Sequence, residues 1–149
     1  MLLSHRTSVN IRPEYSNIIG HMCYAASKLW NVCNYERRRY KELELEKYPD
    51  WYYQKQAHKG DLWYRQLPSQ TAQETCKQLD KAWKSFYVLK KTVGIKDPNP
   101  PRFKQDNIPI TYMQMGIQHE KGSDQLRLSL SKDLKSYMEE AYGIHEKFL

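Results

Sequence analysis

Residues 67–87 constrain the fold more than any other stretch of this 149-residue chain. Pro68 cannot continue a preceding helix, and it biases Leu67 toward extended geometry. Ser69 is then the expected N-cap, its hydroxyl accepting a hydrogen bond from an orphan amide of the first turn. Ala72, Cys76, Leu79, Trp83 and Phe86 follow at helical spacing and form one apolar stripe. Gln73, Lys77, Lys81, Lys84 and Lys91 recur on another side. A helix of about 22 residues would span about 33 Å. One face would bury aromatics, and the other would present ammonium groups and amides. Taken alone, such a helix reads most plainly as a solvated face opposite a core stripe.

Composition narrows the partners. Hydrophobic residues make up 40% of the chain, with 12 tyrosines, enough to build a core in one domain or two small ones. The formal net charge of +7 points to a polyanionic partner, most simply nucleic acid. No apolar run has the length of a membrane span, and the first residues lack a signal-peptide core, so the chain reads as cytoplasmic with no membrane partner. Cys23, Cys33 and Cys76 are an odd set without paired spacing and read as buried free thiols. The five histidines are scattered, and no zinc motif is present.

The remaining segments change period along the chain. Residues 2–11 alternate, with Leu3, His5, Thr7, Val9 and Ile11 on one face, which predicts a half-buried strand ended by Pro13. A long helix is expected over residues 14–47. Tyr15, Ile19, Met22, Cys23, Ala26, Leu29, Trp30 and Cys33 trace its stripe, and a solvated basic half begins at Arg37, Arg38 and Arg39. Trp51, Tyr52 and Tyr53 open a short helix or an irregular segment that Gly60 breaks. Such aromatic density serves either a core or a base-stacking platform, and core is the plainer reading. After the rigid proline turn at residues 97–101, Ile108, Ile110 and Tyr112 alternate, as do Leu126, Leu128 and Leu130, so two strands are expected. Residues 121–124 form the turn before the second of them. Ser131 caps a last helix with Leu134, Met138 and Ala141 inward and Gly143 at its end, and no evident element terminates the chain at Leu149. The fold class is therefore α+β: a predominantly helical lobe inserted after the first strand of a small antiparallel sheet or partial barrel. Its parts are residues 1–13 as a first strand, 14–96 as the helical lobe, and 97–149 as the remaining strands and a final helix.

Three segments carry a likeness to a known family. They are residues 26–37, from Ala26 through Leu29, Trp30 and Asn31 to Arg37; residues 67–87; and Pro101, Arg102, Phe103 and Lys104. In that order the chain resembles the N-terminal part of the transposon-encoded TnpB (OrfB) proteins, relatives of the type V CRISPR nucleases. The resemblance implies a wedge β-barrel whose first strand is separated from the rest by a helical recognition lobe. It also implies a module of an RNA-guided DNA endonuclease, with DNA, guide RNA and the family's nuclease part as partners. The family cleaves with three carboxylates that bind divalent metal, and it carries a zinc ribbon. The resemblance places both beyond Leu149, so no cofactor, metal site or catalytic residue is expected in this chain.

Under that reading the expected contacts are Lys77, Lys81 and Lys84 on the long helix, Arg37 and Arg38 in the basic run, and Arg102 with Lys104 behind the proline turn. These would hold phosphates and position rather than read. Gln70 and Gln73 reach base edges or are merely the polar start of a helix. Two alternatives stand beside it. One is a self-sufficient helix-turn-helix regulator or transposition accessory, although residues 49–68 are too long for the usual turn. The other is a helical protein-interaction module anchored by Trp30, Trp51, Trp63 and Trp83.

Overall fold

A computed structural model describes residues 3–45, 48–146 and 148–149. The fold is α+β, with five α-helices and one two-stranded antiparallel sheet among the described residues. Helix α1 spans Pro13–Arg38. Proline at its start costs nothing, because that amide has no helical partner, and Glu14 with Arg37 and Arg38 complements the helix dipole. Its innermost residues are Ile18, Met22, Ala25, Ala26, Leu29, Trp30 and Cys33, so the stripe enters the core through Ile18 rather than Tyr15 and Ile19.

Helix α1 stops at Arg38, short of the expected end near residue 47. Residues 40–44 form turns, with Glu44 at φ 56. Beyond Tyr40 the stripe offers only Leu43, which stays exposed, and a helix with nothing to bury gains too little to propagate. The expected terminus at Glu46 and Lys47 lies outside the described residues, as does Leu2 of the predicted first strand. That strand does not form over its described part. Residues 3–11 adopt no regular secondary structure and make no backbone hydrogen bond to another described segment. Leu3 is 84% exposed and Val9 69%. Alternation specifies a face, but a lone strand needs a neighbour to satisfy its amides, and among the described residues none pairs with it; residues 7–12 instead face residues 124–128 across a cavity.

Helix α2 spans Trp51–Ala57, with Asp50 accepting a hydrogen bond from the Tyr53 amide at 2.9 Å. The single turn α3, Leu62–Arg65, puts Tyr64 into the core, and Leu67 follows it inward. Helix α4 spans Ser69–Lys91. Its N-cap is Pro68, not Ser69: the Pro68 carbonyl accepts from the Ala72 amide at 3.0 Å, and Ser69 already lies within the helix without a capping bond. The predicted stripe is correct. Ala72, Cys76, Leu79 and Trp83 are buried, and Phe86 packs against them half-buried.

The second half of the chain adds a thin layer to this helical body. Residues 108–112 form no strand. Ile108, Ile110 and Tyr112 pack half-buried on the core, and the Ile108 amide donates to the Cys23 carbonyl of α1. Their period of two is real, but the surface they cover is a helix. Strands β1 (Ile117–His119) and β2 (Leu126–Leu128) pair with Ile117 opposite Leu128. Gly122, at φ 78, makes the turn between them. Leu149 exchanges two backbone hydrogen bonds with Leu128, at 3.1 and 3.2 Å, and Phe148 bridges Ser129, so the last residues lie along the other edge of β2. Helix α5 spans Lys132–Tyr142, capped by the Ser131 hydroxyl and ended by Gly143 at φ 65. Leu134 and Met138 are buried, whereas Ala141, expected inward, is exposed. One hydrophobic cluster draws on α1, α4 and α5 together.

A polar spine threads this core. Arg37 is 2% exposed, and its guanidinium donates to Asp80 Oδ1 and to Gln54 Oε1, both at 2.8 Å. Gln54 in turn donates to the Cys33 carbonyl at 2.8 Å, and Lys84 holds the second Asp80 oxygen at 2.8 Å. Burial alone would raise the Asp80 pKa, but hydrogen bonds from Lys84 and Arg37 hold it below the ordinary carboxylate range. Removing one partner of such a pair strands a buried charge. Arg37→Ala should therefore cost about 3 kcal/mol in urea unfolding, whereas Arg39→Ala, at an exposed pair with Glu42, should change stability by less than about 1 kcal/mol.

Candidate nucleic-acid interface

Two basic surfaces emerge from the packing. The first lies where α2 crosses α4. Asp50 starts α2 so that Gln54 faces the core, which leaves Tyr52 exposed and Trp51 and Lys55 half-buried, Trp51 resting against the edge of the core. The Lys55 ammonium lies 4.7 Å from the Trp51 ring centroid and 4.9 Å from that of Tyr52. Lys77, from α4, approaches the same indole at 4.7 Å. One indole thus holds two ammonium groups through its negative π-face, an attraction of about 0.5–1 kcal/mol each at exposed sites. Beside it, Gln70, Gln73, Glu74 and Lys77 line a cleft of about 300 Å³ closed by Met113, Gln114 and Met115. Lys81 is exposed one turn further along α4. Lys84 is also exposed, with its ammonium committed to Asp80.

The second surface joins α1 to residues 101–104. Trp30 donates its indole N–H to the Arg102 carbonyl at 3.0 Å, and Asn34 donates to the Pro101 carbonyl at 2.9 Å. Asn31 exchanges two bonds with the Lys104 backbone, donating to its carbonyl at 2.8 Å and accepting from its amide at 2.7 Å. Here a side-chain amide takes the place of a neighbouring strand. Arg38 donates to the Pro101 carbonyl at 2.6 Å and lies 5.0 Å from the Phe103 ring centroid. The Lys104 ammonium sits 4.7 Å from the Trp30 centroid. Arg38, at the end of α1, therefore lies beside the strap that carries Arg102 and Lys104.

The predicted contact residues thus divide. Gln70, Gln73, Lys77 and Lys81 share the α4 surface, and Arg102 and Lys104 share the strap with Arg38 beside it. Arg37 belongs to neither. It is sealed in the core by Asp80 and Gln54 and offers nothing to a phosphate. A basic run on a helix still follows the helical period, so one arginine of three turned inward. Lys55, Gln114 and the two methionines were not singled out from the sequence. Lys55 carried a signal, lying one turn after Trp51 on a helix already suspected of stacking.

His58 is a further residue that the sequence left unremarked. It lies between Glu36 of α1 at 3.2 Å and Asp61 before α3. The hydrogen bond to Glu36 is the main cause of its raised pKa, about 9, against burial that works the other way. For Glu36 burial is the largest single effect and raises the pKa, but the hydrogen bonds from His58 and Gln54 and the charges of His58 and Arg37 together outweigh it, and the net shift is downward. A protonated imidazole thus ties α1 to the end of α2, behind the Trp51 platform. Among the described residues no group of three His, Cys, Asp or Glu side chains is placed to hold a metal ion, and no helix is long and apolar enough to cross a membrane.

No protein-family model matches the chain, and no curated protein or solved structure does either. The chemistry of the site therefore rests on its own geometry. Ammonium groups over aromatic faces, next to amides in an open cleft, suit a ligand with alternating anionic and planar parts.

The His58 linkage has a defined sign. A folded-state pKa raised above the ordinary histidine value contributes stability below pH ~6.5, and that contribution disappears as pH rises through about 9. The urea midpoint of the wild type should exceed that of His58→Gln most at pH 6, and the gap should close by about pH 10.

Proposed function

We propose that this chain is a nucleic-acid-binding module that grips phosphate backbone, comparable to the recognition and wedge part of a TnpB/OrfB-type RNA-guided DNA endonuclease. Its partners in this reading are guide RNA, the guide–target heteroduplex and flanking DNA. It performs no cleavage itself. The observation that carries the reading is the Trp51 indole between Lys55 and Lys77, beside the cleft that holds Gln70 and Gln73.

The physical reasoning is comparative. Lys55, Lys77 and Lys81 make no ion pair among the described residues, so these cations are not consumed by the fold. Ammonium groups parked on an aromatic face give up little when a phosphate replaces the ring as partner, and the exposed Tyr52 ring, which lies against Trp51 at 4.0 Å between centroids, can stack on a base. The strap offers a second set, Arg102 and Lys104 with Arg38 beside them, at the start of the segment that leads toward the sheet. Of the two carboxylates on α4, Asp80 is neutralised by Arg37 and Lys84, and Glu74 lines the cleft beside Gln73 and Lys77.

Binding to a duplex and to an RNA–DNA heteroduplex is measured by fluorescence anisotropy across a salt series. Affinity should fall steeply, with a log–log slope of about −0.9 for each phosphate neutralised on DNA. The double variant Lys77→Ala/Lys81→Ala should flatten that slope by about 1.8 while leaving the urea midpoint unchanged. Salt-independent binding, or none to any of these ligands, would sink the proposal.

A further inference from the structure

Helices α1 and α4 carry a pair of thiols to which nothing above gives a role. Cys33 and Cys76 are each 1% exposed, and both belong to the central cluster. Arg37 and Asp80 lie one turn further along the same two helices and meet at 2.8 Å. Positions four apart share a helix face, so the two thiols project into that same interface. There the two thiols are close enough for each to shift the ionisation of the other. Cys23, the third cysteine, is half-buried elsewhere on α1 and hydrogen-bonds with the Ile110 backbone.

We propose that Cys33 and Cys76 form a thiol-oxidation site, a dithiol that a small-molecule disulfide converts into a covalent link between α1 and α4. The surroundings differentiate the two sulfurs. The interaction with Cys33, assisted by the positive charges of His58 and Arg37, holds Cys76 below the ordinary thiol range. The same interaction, together with burial, pushes Cys33 well above it. Cys76 is 1% exposed, so in this proposal it attacks once local opening between α1 and α4 admits the oxidant, and it attacks first because thiolate rather than thiol is the nucleophile.

The exchange is balanced by glutathione disulfide alone. The Cys76 sulfur attacks one sulfur of the oxidant, breaking its S–S bond and releasing one glutathione thiolate. The Cys33 sulfur, giving up its proton, then attacks the Cys76 sulfur of the mixed disulfide and expels the second glutathione. Two electrons pass from the protein to the oxidant, and the two cysteine protons leave on the two glutathione thiols. The new bond closes the loop of residues 34–75, which contains Trp51, Lys55, Gln70 and Gln73. Closing a loop of that size restricts the unfolded chain far more than the already packed native state.

The full chain is equilibrated in glutathione redox buffers from two starting points, the reduced protein and protein refolded under oxidising conditions. Samples are quenched with acid, alkylated and analysed by mass spectrometry. Both starting points should converge on a species that has lost two hydrogens, with Cys33 joined to Cys76 and Cys23 alkylated. Its Tm should exceed that of the reduced protein by about 5–10 °C. Cys23→Ser should retain the link, and Cys33→Ser and Cys76→Ser should each lose it. Three results overturn the proposal: both thiols alkylated in the most oxidising buffer from either starting point, linkage through Cys23, or a linked form that melts below the reduced one.

Discussion

The buried contact between Arg37 and Asp80 organises the rest of the molecule. Two charges removed from water are costly, and their attraction compensates only with good geometry and further hydrogen bonds. Gln54 supplies one of those bonds, Lys84 reaches in from solvent for another, and the Cys33 carbonyl receives the spare Gln54 donor. The result fixes α1, α2 and α4 against one another by groups that tolerate little sliding. Apolar packing of Leu29, Leu79 and Trp83 then fills the space around a registered frame.

The basic surfaces follow from that frame. Gln54 faces inward to meet Arg37, which places Trp51 and Lys55 beside Lys77. Trp83 donates to Asn34 at 2.9 Å, and Asn34 passes its own donor to Pro101. The strap that carries Arg102 and Lys104 is thus joined to α4 through a single asparagine on α1. The surface charges of both basic patches rest on neutral amides and indoles beneath them.

Some of this was legible in the sequence and some was not. The α4 stripe from Ala72 to Trp83 and the Ser131–Gly143 limits of α5 could be read because periodicity, capping and left-handed glycine are local. The strands expected over residues 2–11 and 108–112 failed because alternation reports a buried face, not the identity of the covering element. Residues 108–112 found a helix, and residues 3–11 found no partner among the described segments. Arg37 was misjudged for a related reason. Its neighbours Arg38 and Arg39 are exposed, and only knowledge of Asp80, more than forty positions away, reveals why the first of the three turns inward. The pairing of Lys55 with Lys77 was hidden likewise, since it depends on how α2 crosses α4.

The grip on residues 101–104 has a consequence for how the chain can vary. Trp30, Asn31, Asn34 and Arg38 hold this segment by its main-chain carbonyls and one amide. Every residue type supplies a carbonyl, so the side chain of Arg102 is not needed to keep the segment in place, and that of Lys104 adds only its contact with the Trp30 ring. Substitution there is uncoupled from folding. The strap can acquire or discard charge with little effect on its path, while exchange of Asn31, outwardly a modest polar residue on a helix surface, would free its far end at Lys104 and leave Pro101 and Arg102 held by Asn34, Arg38 and Trp30.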